Sequence, residues 1–366
     1  MHILAALAAL IIIVSILWDA FETIILPRRV RRKLRLTRAF YDVTWAPWRA
    51  VARRLHNEGR RESFLSLFGP LALILLLVTW AVGLVLGFAL LQWSFGSPLR
   101  GFEQHFGFGS DLYFSGVTFF TLGFGDLVPY TGAGRLIAVV EAGLGFGFLA
   151  LIISYLPVLY QAFSRREVSV SLLDARAGSP PTAGELLRRH GEDCPRNTIP
   201  DFLLDWERWS AELMESHLSY PSLAYFRSQH DNQAWLSALT VVLDASALVL
   251  AGIDDIPTHQ ARLTFAMARH AAVDLCQVFG ADFLPYKEHR KGQDRLPPEA
   301  LARLRGLLRT VEMEPHETKE ADMKLRHLRQ MYEPYVLALA DLLEISLPPW
   351  LPRPGAEDDW LSSPTE

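Results

Sequence analysis

Cysteine is nearly absent from this chain: Cys194 and Cys276 are the only two in 366 residues. No CxxC pair and no Cys/His cluster with zinc spacing occurs, which excludes the usual structural zinc sites. Two isolated cysteines point to reduced thiols in a cytoplasmic segment, with a disulfide between them as the alternative. An excess of basic charge is also missing. The formal net charge is −4, and it is unevenly spread: residues 1–164 carry 14 Lys/Arg against 9 Asp/Glu, and residues 165–366 carry 22 against 31. An acidic C-terminal half argues against nucleic acid as a partner. No apolar run carries arginine at every third position, so no voltage-sensing span is present. No nucleophile–base constellation stands out, and catalysis has no support. Nor does positive charge precede the first apolar run, which begins Met1-His2 and has its basic residues afterwards. A cleaved secretory signal has the opposite order.

What the chain has is apolar length, all of it concentrated before about residue 163. The first run, 3–26, is expected to be a retained transmembrane helix with its N-terminus outside. Asp19 and Glu22 lie three apart near its inner end, on one helix face. They read as salt-bridge partners for the arginines just beyond, or as a gating contact. A basic linker, 27–66, follows. Between Arg28 and Arg61 stand 12 Lys/Arg against only Asp42 and Glu58, which places the linker in the cytoplasm. Trp45, Trp48 and the interleaved arginines suit a helix lying on the inner leaflet, with anionic lipid as a candidate partner. The second span, 67–93, leads outward with Pro70 in its first turn. A loop then dips back, and a third span, 135–160, returns to the cytoplasm. All of this agrees on a multi-pass protein of the cell membrane with its C-terminus inside.

The loop holds the densest signal, Thr121-Leu122-Gly123-Phe124-Gly125-Asp126. An ion filter replaces hydration water with backbone carbonyls, which must turn toward one axis. Gly123 and Gly125 supply the backbone freedom this needs. Thr121 can add its hydroxyl at the inner mouth, Phe124 can pack outward, and Asp126 can anchor the outer end. Ser110 and Asp111 open a short apolar segment, 112–120, as N-cap and first-turn acid, which predicts a pore helix feeding the loop.

The order helix, pore helix, TLGFGD, helix resembles the potassium channel pore domain, over residues 68–163. The common family form is TTVGYGD; here Phe120, Leu122 and Phe124 replace Thr, Val and Tyr. The resemblance implies K+ bound at the carbonyls of Thr121, Leu122, Gly123 and Phe124. Tyr113 and Phe114 align with the aromatic pair that supports the family's filter. Phe124 lacks the hydroxyl that the family's tyrosine directs at the second of that pair, and Phe114 could not receive it, so no buried polar group is stranded. Tyr113 is free to reach Asp126. Gly145 falls at the inner-helix hinge glycine. Phe146, Leu149, Ile153 and Pro157 share a face at spacings of three and four, which the resemblance assigns to the cavity and inner gate; ordinary helix packing is the alternative for each. Gly143-Leu144-Gly145-Phe146-Gly147 is no dinucleotide fingerprint, because no strand precedes it. Pro157 is expected to kink the helix. Glu141 lies one turn before Gly145, inside a span, where ionisable residues are functional candidates. It could support the filter from behind, face the cavity and attract cations, or hold its proton and stay neutral.

The C-terminal half, 164–347, reads as helical. A short segment at 167–173 is broken by Gly178, Pro180 and Pro181, and Thr182-Ala183-Gly184-Glu185 is a capping box. Helices are expected over 182–190, 200–217, 233–252, 258–279, 297–311 and 315–345, with a flexible tail, 348–366. The apolar stretch 235–253 is nearly long enough to span a membrane. Ser237, Thr240, Asp244 and Ser246 interrupt it, so it reads as the central helix of a bundle, with a fourth span as the alternative. His217, Tyr220, His230 and Asp231 cluster around an expected turn and either bind a metal or ligand or fill a bundle surface. Many potassium channels carry a nucleotide-type regulator with a GxGxxG turn; this half has none, leaving room for an unidentified cytoplasmic ligand.

The expected fold class is therefore all-α: a polytopic membrane protein with a potassium-channel-like pore domain, 67–163, an extra N-terminal transmembrane helix, 1–26, and a helical cytoplasmic C-terminal domain with a regulatory role. The expected function is a potassium-selective channel subunit, assembled as a homotetramer and gated by inner-helix movement. K+ is its transported ion, and no cofactor is expected. The alternatives are a cation channel of relaxed selectivity, or a membrane-anchored sensor with a non-conducting pore.

Overall fold

The computed structural model describes residues 2–26, 35–101, 107–193, 198–228, 233–288 and 294–352. The basic run Arg28, Arg29, Arg31, Arg32 and Lys33 lies outside the described residues, as do Cys194, His230, Asp231 and the tail beyond residue 352. In chain order come α1 (His2–Ala20), α2 (Leu36–Ala52), α3 (Glu58–Ser66), α4 (Phe68–Ser94), β1 (Leu99–Arg100), α5 (Phe108–Phe119), β2 (Val128–Pro129) and α6 (Gly132–Ala177). Then follow α7 (Ala183–Asp193), α8 (Thr198–Ser219), α9 (Trp235–Gly252), α10 (Thr258–Phe279), α11 (Leu284–Lys287), α12 (Pro298–Arg309), α13 (Lys319–Gln330) and α14 (Glu333–Leu343). They form two units, Met1–Val51 with Leu67–Gln161, and Ala52–Ser66 with Ala162–Glu366.

The first unit is built from apolar helices. The 27 residues of α4 reach about 40 Å at 1.5 Å per residue, enough to cross a bilayer core. Alongside it runs α1, whose Ile13 approaches so closely that a Cβ on Gly87 would meet its Cγ1 at 2.7 Å. Asp19 is buried at the C-terminal end of α1, and Arg28, Arg29, Arg31 and Arg32, the arginines just beyond, lie outside the described residues. Asp19 accepts hydrogen bonds from the Thr37 amide at 3.1 Å, the Thr37 hydroxyl at 2.6 Å and Trp80 Nε1 at 3.1 Å, joining α1, α2 and α4. Glu22 does pair with an arginine, Arg35, at 3.7 Å. Trp45 is buried on α2, its ring 4.7 Å from that of Phe68. That contact withdraws Trp45 from the leaflet surface expected for it. The pore helix starts earlier than its sequence suggests: Gly107 is the residue before α5, and Ser110 and Asp111 lie inside its first turn. Asp111 instead accepts from Ser97 Oγ at 2.6 Å.

In the second unit every residue from Trp235 to Leu250 is buried. A helix apolar all round belongs in a core or a membrane. Four helices among the described residues are long and apolar enough to cross a bilayer, but 89% of the α9 window is already covered by protein, against 11% for α6. Such burial is what the bundle reading of 235–253 expects, and Asp244 shows how its polar interruption is met. Arg295 Nη2 lies 2.6 Å from Asp244 Oδ2, and the Tyr332 hydroxyl donates to Oδ1 at 2.5 Å. A buried charge needs such partners.

Two expected boundaries moved. The helix read over 315–345 is two helices, because Pro334 at the start of α14 has no N–H to continue α13. The inner span does not stop near 160. It continues to Ala177 and absorbs the segment 167–173, because Val170, Leu173 and Ala177 recur at helical spacing and are buried in the second unit's core. The chain then breaks at Gly178, as expected, and Thr182 Oγ1 accepts from the Glu185 amide at 3.2 Å.

Candidate functional site

The segment from Thr121 to Asp126 leaves α5 directly. The helix ends in a left-handed cap at Thr121, with the Thr121 amide donating to Thr118 O at 3.0 Å and the Leu122 amide to Val117 O at 2.9 Å. Beyond this point the backbone alternates: φ is +57° at Thr121, +60° at Gly123 and +75° at Gly125, and is not positive at Leu122 or Phe124. An ordinary extended strand points successive carbonyls to opposite sides. Alternating the sign of φ turns successive peptide planes toward the same side, which is the arrangement a carbonyl-lined ion path requires. Glycine tolerates the positive values without a Cβ clash; Thr121 is the one position where a side chain is held there.

Both ends of the segment are tied down. Tyr113 on α5 donates its hydroxyl to Asp126 Oδ2 at 2.8 Å. The strands β1 and β2 pair antiparallel, Leu99 with Pro129 and Arg100 with Val128, fastening the exit of α4 to the chain beyond Asp126. Phe114 is buried in the body of the unit, whereas Phe124 is 67% exposed on the single chain.

Behind α5, Glu141 is fully buried on α6 and hydrogen-bonds to Ser115 Oγ, which also donates to Val85 O of α4 at 2.8 Å. Glu141 thus lies behind the pore helix rather than on the uncovered face of α6. Ser115 was missed in the sequence. Its signal was weak, since α5 also carries Ser110, Tyr113 and Thr118, and only Glu141 stands as a lone carboxylate in the following span, 135–160.

Gly145 lies against the end of α5. A Cβ there would run into the Phe119 carbonyl, with its carbon at 2.8 Å and Phe119 Cα at 3.1 Å. Gly143 and Gly147 face open space. The structure therefore gives Gly145 a packing reason that a hinge assignment does not contain. Further along, Phe146, Leu149, Ile153 and Pro157 are all exposed, the first three at 68%, 54% and 65%, while Tyr155 and Leu159 are buried. Those four share one uncovered face. Pro157 sits inside a continuous helix.

In the second unit, His217 is buried beside Arg166, while His230 and Asp231 of the expected cluster lie outside the described residues. The His217 Nδ1–H donates to Leu213 O at 2.9 Å, leaving Nε2 to accept from Arg166 Nη1 at 3.2 Å. Arg166 also donates to Leu223 O at 2.9 Å and Phe226 O at 2.7 Å, and pairs with Glu167 at 2.9 Å. Burial and the Arg166 charge hold the His217 pKa well below the ordinary histidine value. Among the described residues no group of three or more His, Cys, Asp or Glu could hold a metal ion.

Residues 73–161, from within α4 to the end of the first unit, match a protein-family model described as ion channel. The chain is also similar to the uncharacterized membrane protein YdjJ of Bacillus subtilis (strain 168), with 26% identity over 223 residues, 60% of this chain and 62% of that protein's length. The chain thus aligns with less than two thirds of that relative. No solved structure matches the chain. The family match supports an ion channel pore domain, carried by a multi-pass membrane protein with a helical C-terminal region.

Proposed function

We propose that this chain is the subunit of a potassium-selective channel, with Thr121, Leu122, Gly123 and Phe124 presenting carbonyls to the ion. The observation that carries the reading is the alternation of φ at Thr121, Gly123 and Gly125, immediately after a helix that dips between two spans. Asp126 and Tyr113 anchor the outer end, and Glu141 with Ser115 holds the pore helix from behind. One chain supplies one loop, and a closed carbonyl ring of this type uses four. The uncovered face of Phe146, Leu149, Ile153 and Pro157 is consistent with α6 lining such a path. The basic stretch between Arg28 and Arg61 favours a cytoplasmic linker, hence an outer N-terminus and an inner C-terminus. The second unit follows the first along the backbone of α6, and we assign gating to it.

The test is cation flux from liposomes containing the purified protein. Potassium is expected to pass well over sodium. In the Gly123→Ala variant a methyl group at φ +60° costs about 1–2 kcal/mol in each subunit, and selective flux should be lost. Equal permeation of both ions by the unmutated protein refutes selectivity; absence of any cation flux refutes the channel reading.

A further inference from the structure

The second unit contains a cavity of about 520 Å³ between α10 and α13, a size typical of small-molecule sites. One stripe of α10 lines it at helical spacing: Arg262, Phe265, Ala266, Arg269, and then His270 and Asp274. Lys324, Leu328 and Met331 of α13 face that stripe. The lining divides by chemistry. Phe265, Leu328 and Met331 offer an apolar body, and Arg262, Arg269 and Lys324 bring three positive charges to it.

These charges are not spent on the protein. Among the described residues Arg262 and Lys324 form no ion pair or hydrogen bond. Arg269 uses only its Nε, which donates to Met331 O at 3.0 Å and orients the guanidinium. The single carboxylate in the lining, Asp274, is engaged by His270 Nε2 at 3.0 Å. Two other arginines of this unit do pair with acids, Arg309 with Glu317 at 2.8 Å and Arg329 with Asp294 at 2.5 Å. In an acidic half, three convergent cations left without partners beside apolar side chains call for an anion from outside.

We propose that this cavity binds a small soluble organic anion, a phosphate monoester or carboxylate attached to an apolar body. The cations take the charged group, and Phe265, Leu328 and Met331 cover the rest. The proposal stands independently of the pore reading.

Isothermal titration of the full chain in phosphatidylcholine nanodiscs tests it, with phenyl phosphate as probe and inorganic phosphate as the comparison. Phenyl phosphate is expected to bind saturably and at least about tenfold more tightly than inorganic phosphate, since only it fills the apolar part. The double substitution Arg262→Gln with Lys324→Gln should weaken binding about tenfold or more. Ala266→Trp keeps every charge but fills the cavity, and should abolish binding. All three positions are exposed, so wild-type thermal unfolding is expected for these variants. The proposal is overturned if no saturable binding occurs, if both variants bind as the wild type does, or if binding requires phosphatidic acid in the nanodisc, which would assign the cavity to a lipid.

Discussion

Replacing Gly145 with alanine separates two roles that a glycine in an inner helix can have. If the residue serves as a flexible point, alanine at 143, 145 or 147 should stiffen α6 to a similar degree. In a helix interior alanine is more stable than glycine by about 0.5–1 kcal/mol. At Gly143 and Gly147 nothing lies within 4 Å of the added methyl group, so that gain should appear undiminished. At Gly145 the methyl meets the Phe119 carbonyl, a backbone group that cannot rotate away. Its carbon stands at 2.8 Å, where ordinary contact begins near 3.4 Å. Restoring contact moves α5 and α6 apart by more than about 0.6 Å, at an overpacking cost of roughly 1–3 kcal/mol. Gly145→Ala should therefore be less stable than Gly147→Ala by about that amount. Phe119 stands two residues before Thr121, so the same displacement reaches the carbonyl path, and ion selectivity should suffer along with stability. Thermal unfolding in detergent and the potassium-to-sodium flux ratio in liposomes, measured for all three variants, decide the matter. If Gly145→Ala matches Gly147→Ala in both, the packing argument is wrong. Equal impairment of flux in all three variants would favour flexibility instead.

Acidification should destabilise the second unit through His217. Its depressed pKa means that the unfolded chain binds a proton near pH 6.5 which the folded chain refuses. The contribution is thus complete above about pH 6.5 and is lost below it, at up to about 1.4 kcal/mol per pH unit. Tryptophan-monitored unfolding should show a shallower slope between pH 6.5 and 5 for His217→Gln, and parallel profiles would refute the assignment. Glu344→Gln should loosen α3, because Glu344 takes Arg53 Nη2 and Arg61 Nη2, each at 2.7 Å. A loss of roughly 1–3 kcal/mol should appear as faster amide exchange in α3, and unchanged exchange there would count against this contact.

The sequence alone was enough for whatever depends on neighbours along the chain. The spans were legible because a bilayer demands length and apolarity in one continuous run. The 121–126 segment was legible because positive φ selects glycine at alternate positions, and the reach of Tyr113 to Asp126 was suggested by the resemblance to the potassium channel pore domain. The central α9 could be read as a bundle helix from Ser237, Thr240, Asp244 and Ser246, although only Arg295 and Tyr332 explain why the Asp244 charge is tolerated. Tertiary structure decided the rest, since those features join residues remote in sequence. Ser115 meets Glu141 across 26 positions, His217 meets Arg166 across 51, and Arg61 reaches Glu344 across 283. No local pattern encodes such pairs. The extension of α6 to Ala177 belongs to the same class: the apolar run ends near residue 163, and the helix persists because Val170, Leu173 and Ala177 find a core supplied by distant helices. The reason for Gly145 was likewise invisible in the sequence, because it lies in the closeness of Phe119, a main-chain group whose position no side-chain pattern reports.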